Sequence, residues 1–204
     1  NSVFDSCQRS MNGRWRWFLF ETNSARAPAN TVMSPHLPRL GHALHQLLSA
    51  RRTAALGTLD ASSGAPSVSM VPFAIDAHER CIVLHLSGLA AHTTNLLADA
   101  RASLLIAAPE VPGAPVHDLP RITLDALAST PAPDSPAGRS AHAAYVQRFP
   151  EAAFMTGLGD FRFVTLVPTG ARQIAGFGSA RSVQAAEIAQ ILAMGTSEGP
   201  PAGA

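Results

Sequence analysis

The run Ser87-Gly-Leu-Ala-Ala-His-Thr-Thr-Asn95 places hydroxyls, an imidazole and a carboxamide around an expected helix start. Free backbone N–H groups and the helix dipole make such a terminus attractive to anions, so the chemistry suits a phosphate. A neutral imidazole adds hydrogen bonds there but little charge. The competing reading is simpler: Thr93 or Thr94 caps the helix and His92 lies on the surface. Other histidines offer less. His42 and His45 are three apart on an expected helix, but no carboxylate or cysteine stands at ligand spacing beside them, so no metal site is expected. His85 sits in an apolar strand and reads as a hydrogen-bonded core residue. There is no Gly-Lys-Ser/Thr phosphate loop and no Gly-x-Ser-x-Gly elbow, and the acids are scattered singly. No catalytic side chain is therefore identified, and any catalysis must come from a bound cofactor acting on a small-molecule substrate.

The elements that must position this run are short strands. Arg52 to Leu59, Pro66 to Asp76, Cys81 to Leu86 and Arg101 to Ala107 are expected strands, the first two joined by a polar turn at Asp60–Gly64. Residues 76–80 form another turn, and Thr94 to Asp99 a short helix. Leu40, Leu44, Leu47 and Leu48 recur at helical spacing between Leu37 and Ala50. A loop with two prolines and a glycine, 110–119, precedes a long strand, Arg121 to Thr130. A helix starts near Pro136 and runs toward Phe149. Phe161 to Val167 and Ala171 to Gly176 are expected to form a hairpin through Pro168-Thr-Gly170. Ser182 is expected to cap a last helix, Val183 to Ala193. The fold class is α+β, mainly β, and the strands fit a closed or nearly closed barrel.

The chain has 204 residues, 47% apolar and 14% charged, with a net charge of +1. That is enough for one ordinary core. No basic stripe with interleaved aromatics suggests nucleic acid, and no apolar run reaches the 18 or so residues of a membrane span. Cys7 and Cys81 read as free thiols in a reducing cytoplasm. Residues 1–35 are expected to be a disordered or non-native segment, with a small helix near Trp15–Phe20 and Met33 a candidate start. Residues 36–194 form the domain, and 195–204 a flexible tail.

The order of hairpin, strand, Ser-x-Leu-Ala-x-His-Thr-x-Asn-Leu and strand resembles the pyridoxamine-5′-phosphate-oxidase-like family of FMN-binding split β-barrels. It is most similar to the branch that includes heme-utilisation proteins. The resemblance continues through Arg121–Ala126, Tyr145–Glu151, Gly159–Phe163 and Gly176–Arg181. It implies a split β-barrel with peripheral helices, an FMN-dependent oxidoreductase activity, and a homodimer with a flavin in each interfacial cleft. It further implies that Ser87, His92, Thr93 and Asn95 face the cofactor phosphate and that Ser69, Met70 and Val71 flank the flavin. Arg121 would supply charge, because His92, Thr93 and Ser69 stand where relatives carry basic residues. The alternatives are heme as ligand, bound or degraded, and a non-catalytic ligand-binding barrel. The resemblance places the heme-ligating histidine of that branch after the barrel, whereas all eight histidines here lie at or before His142. Phe161, Phe163 and Phe177 are the expected dimer face.

Overall fold

The computed structural model describes residues 7–9, 15–17 and 36–195, in two separate units divided after Ser34. In the first unit β1 (Cys7–Arg9) pairs antiparallel with β2 (Trp15–Trp17), so Trp15–Trp17 is strand where a helix was expected. The disorder expected elsewhere in 1–35, and the tail beyond 195, lie outside the described residues.

The second unit is an antiparallel sheet flanked by helices. After α1 (His36–Ala50) come β3 (Thr53–Leu59), β4 (Pro66–Pro72), β5 (Ala74–Asp76), β6 (Cys81–Ser87), α2 (Ala91–Ala98), β7 (Arg101–Ala107) and β8 (Arg121–Ser129). Next come α3 (Pro136–Arg148), a 3-10 helix at Pro150–Gly157, β9 (Phe161–Ile174), β10 (Ala180–Gln184) and α4 (Ala185–Leu192). The strands run in the order β4-β3-β7-β8-β9-β6-β5, with β10 also paired to β9. β4 and β5 lie at opposite ends of that order, yet only Phe73 separates them in sequence. The sheet must therefore curl until its edges meet at Phe73, whose ring is buried and whose N–H donates to the Arg52 carbonyl at 3.0 Å. This is the expected split barrel.

Alternation along the strands fills the interior. Leu56, Leu104, Ile106, Ile122 and Leu124 are fully buried there, with Leu44 and Leu48 of α1 and Ile188 and Leu192 of α4 in the same cluster. A second, smaller cluster lies on the other side of β5 and β6, where Ala74, Cys81 and Val83 meet Ala141, Tyr145 and Phe149. α3 can lie there because its cap is built in. Ser135 Oγ accepts from the Gly138 N–H at 3.0 Å, and Pro136 suits the first turn.

Three expected elements change. Pro66–Asp76, expected as one strand, is divided at Phe73 into β4 and β5. Phe161–Ile174 is one strand, not a hairpin: the register slips between Asp125 and Ala126, so Thr169 is bulged out between Pro168 and Gly170. Its hydroxyl donates to the Asp125 carbonyl at 3.1 Å, which anchors the bulge. The true hairpin partner is β10, and it takes up Ser182 and Val183, so the last helix begins at Ala185 without a side-chain cap. Burying Val183 on the sheet, and bonding Arg181 to both Gln173 and Glu187, outweighs the helical signal of Ser182.

Candidate functional site

Where the ends of β4 and β6 approach α2 and α3, the surface opens into a cleft of about 670 Å³. Its walls are largely apolar: Met70, Val71 and Pro72 from β4, Tyr145 from α3, Phe149 and Met155 after it, and Phe161 from β9. Its polar residues are few. Arg52 and Glu151 form an ion pair at 2.5 Å near the rim, and the Arg52 guanidinium lies 4.7 Å from the centre of the Phe149 ring. The Glu151 carboxyl is held below its usual range by its own backbone N–H and by Arg52. Burial raises the Tyr145 phenol, and Glu151 adds to the rise.

Two histidines line the cleft. His92 projects from the first turn of α2, and its Nδ1 lies 3.0 Å from Ser69 Oγ, a hydrogen bond between α2 and β4. Burial lowers its affinity for a proton, so the ring is neutral at pH 7. His85 is 7% exposed and packs among the rings of Phe163, Phe161 and Tyr145 at 4.7, 5.0 and 5.4 Å. Burial, followed by the proximity of His142, lowers its pKa too. The hydrogen bond expected for His85 is not found among the described residues; its polar ring is accommodated by aromatic packing instead. His85 and Phe161 also border a second cavity of about 620 Å³, lined by Arg139, His142 and Arg162.

The run that suggested a phosphate is arranged differently from a row of free donors. Ser87 Oγ donates to the Asp160 carboxylate at 2.9 Å and accepts from the Leu89 N–H at 3.2 Å. Thr93 is fully buried, its hydroxyl donating to the Ser87 carbonyl at 2.7 Å. Asn95 is buried as well: its Nδ2 donates to Thr58 Oγ1 at 3.0 Å and its Oδ1 accepts from the Ala61 N–H at 2.9 Å, tying α2 to the β3–β4 hairpin. Arg121 stands at the other end of the sheet. It pairs with Ile174 of β9, whereas Ser87 pairs with Phe161, and its Nη1 donates to the Leu119 carbonyl. Thirteen residues of strand correspond to about 40 Å at ~3.3 Å each. Within one chain, then, Met70, Val71, Ser87 and His92 line the cleft, Ser69 orients His92, Thr93 and Asn95 brace α2, and Arg121 is remote.

Sequence reasoning did not assign Arg52, Tyr145, Phe149 or Glu151 to the site. The segment Tyr145–Glu151 carried a signal as part of the family resemblance. Its approach to β4 and β6 depends on α3 crossing the sheet, which local periodicity does not encode. His45 is buried, with Nε2 2.6 Å from the Gly195 carbonyl, and so is a structural residue.

An antiparallel sheet curled until its edges meet, with a cleft against its outer helix, defines a split β-barrel. Residues 40–175 match the pyridoxamine 5′-phosphate oxidase family, and the chain belongs to that family. It is 40% identical over 119 residues to the chloroplastic heme oxygenase HOZ of Arabidopsis thaliana, covering 57% of this chain and 34% of HOZ. It is 30% identical over 155 residues to the heme oxygenase HutZ of Vibrio cholerae, covering 76% of this chain and 86% of HutZ. A heme binding protein from Mycobacterium smegmatis superposes with a TM-score of 0.66 at 26% identity, covering 74% of this chain and 60% of that one. The chain thus spans about a third of HOZ and 60% of the mycobacterial protein.

The cleft residues can be weighed against the two groups these relatives suggest. A flavin phosphate needs positive charge. The one guanidinium lining the cleft is already paired with Glu151, and the Asp160 carboxylate holds Ser87, so the described residues of one chain do not fit FMN well. Heme fits at least as well: aromatic and thioether walls suit the face of a flat macrocycle, and its two propionates can stay in water at the open rim.

Proposed function

We propose that this chain binds heme in the cleft between β4, β6, α2 and α3. The observation that carries this reading is the cleft's chemistry: largely apolar and aromatic walls with two neutral histidines among the lining residues. The printed activities of HOZ and HutZ make oxidative heme degradation the reaction to test. Bound heme would supply an iron centre for oxygen chemistry. The chain's residues would do the rest: Phe149, Tyr145 and Met70 exclude water from the ring faces, and the Arg52–Glu151 pair marks the polar rim.

FMN is the second reading, favoured by the family match itself. In it, Ser87 and His92 approach the phosphate, and the compensating Arg121 comes from a second copy of the chain, since its own is too far away. Either reading is served by a homodimer. The outer face of the sheet carries Val68, Met70, Leu105, Leu127 and Val167, all substantially exposed, beside the small residues Ala55 and Gly57. Met70 belongs both to that face and to the cleft, so a second copy seated there would wall the cleft from outside. Phe161 and Phe163, part of the face expected from sequence, are half-buried beside His85, and Phe177 stands 86% exposed.

Titrating the purified chain separately with hemin and with FMN tests the proposal. A Soret band that saturates near one hemin per chain, with FMN fluorescence unquenched, is the expected result. Tight FMN binding with no hemin binding would overturn it.

A further inference from the structure

His92 has the surroundings of a metal-ligating histidine. Such residues carry a hydrogen bond on the ring nitrogen that faces away from the metal, which fixes the tautomer and the ring plane. Here Nδ1 is engaged by Ser69 Oγ at 3.0 Å, and no described residue bonds Nε2. The ring stands on a braced element. Asn95 ties α2 to Thr58 and Ala61, and buried Thr93 ties its first turn to Ser87. The other histidine in the cleft, His85, lacks these features: three aromatic rings enclose it, and no hydrogen bond from the described residues sets its tautomer.

Resting on the heme reading above, we propose that His92 Nε2 is the axial ligand of the heme iron and that Ser69 is its positioning residue. The iron–nitrogen bond would form from the Nε2 lone pair as the water on aqueous hemin leaves, while the Nδ1 proton remains in the hydrogen bond to Ser69 Oγ. No proton is released at neutral pH and no other reactant is needed. Ser69 then has a function in the position where a basic residue was expected: it accepts from the ligand instead of meeting a phosphate. Because the ligand lies on α2, just after β6, the iron is held inside the barrel domain.

The test uses the full chain loaded with hemin, read by ferrous resonance Raman spectroscopy and by hemin titration. The wild-type chain is expected to show an iron–histidine stretching band. His92→Ala should lose that band and bind hemin about ten-fold or more weakly, with added imidazole restoring the six- or five-coordinate spectrum. Ser69→Ala should keep the band but shift its frequency and weaken binding by about ten-fold, the usual size of an outer-partner effect. His78→Ala, on the turn before β6, should match wild type. If His92→Ala keeps the band, the proposal is overturned while the heme reading stands. Loss of the band in His85→Ala alone would then move the ligand to His85. If wild type takes up no hemin at all, the heme reading itself falls. Circular dichroism of each variant, together with imidazole rescue, separates loss of ligation from loss of fold.

Discussion

The two cleft histidines make stability depend on pH in a defined direction. Both are depressed in the folded state by burial, so the folded chain takes up a proton less readily than the unfolded one. The stability they contribute is complete above the ordinary imidazole value of about 6.5 and is lost as pH falls below it toward the folded values. Thermal unfolding should therefore shift downward between pH 7 and pH 5. His85→Phe, which keeps an aromatic ring among Tyr145, Phe161 and Phe163, should flatten that decline; an unchanged slope would place the proton uptake elsewhere. The same burial bears on FMN, because it disfavours the protonated His92 that would add charge toward a phosphate. Asn95 is the other sensitive residue. Asn95→Ala leaves the buried Thr58 hydroxyl and the Ala61 N–H without their partner, at a cost of about 1–3 kcal/mol in urea unfolding. Hemin affinity should fall with it, since α2 loses its tie to the hairpin.

At the scale of elements, close approach fixes where α3 can start. A Cβ on Gly138 would lie 2.1 Å from the Ala132 carbonyl oxygen, against backbone that cannot swing aside. Gly138→Ala should cost at least the ~1–3 kcal/mol typical of overpacking, and more if the Ser135 cap is lost with it. Thermal melts measure this directly, and a neutral result would mean that the loop at 131–133 yields. Strands with clean alternation were legible in the sequence: Arg101–Ala107 has the expected bounds, and α1 differs by one residue at its start. Failures came where tertiary pairing competed with local signals. Pro168-Thr-Gly170 has turn chemistry, yet β8 pairs along the whole of that segment and absorbs Thr169 as a bulge. Ser182 looks like a helix cap, yet it lies in a strand because Arg181 reaches Gln173 and Glu187 at once. The site was half legible for the same reason. Met70, Val71, Ser87 and His92 lie close in sequence to their own strands and helix, whereas Tyr145 and Phe149 reach the cleft only through the crossing of α3.

For the whole molecule, the outer sheet face and the cleft are continuous through Met70, which is 70% exposed. Assembly and ligand binding should therefore be coupled. Met70→Glu combined with Leu105→Glu places two carboxylates on the exposed apolar face without touching the barrel interior. Sedimentation should show wild type as a dimer at micromolar concentration and the double variant as a folded monomer with weakened hemin binding. A wild-type monomer that binds hemin with full affinity would dispose of the shared-cleft arrangement. The central claim concerns where the heme sits, and anomalous diffraction at the iron edge from crystals grown with hemin addresses it most directly. One strong iron peak per chain is expected in the cleft, within bonding distance of His92 Nε2. An iron peak bonded to any other residue, or a cleft filled by FMN carried through purification, would contradict it.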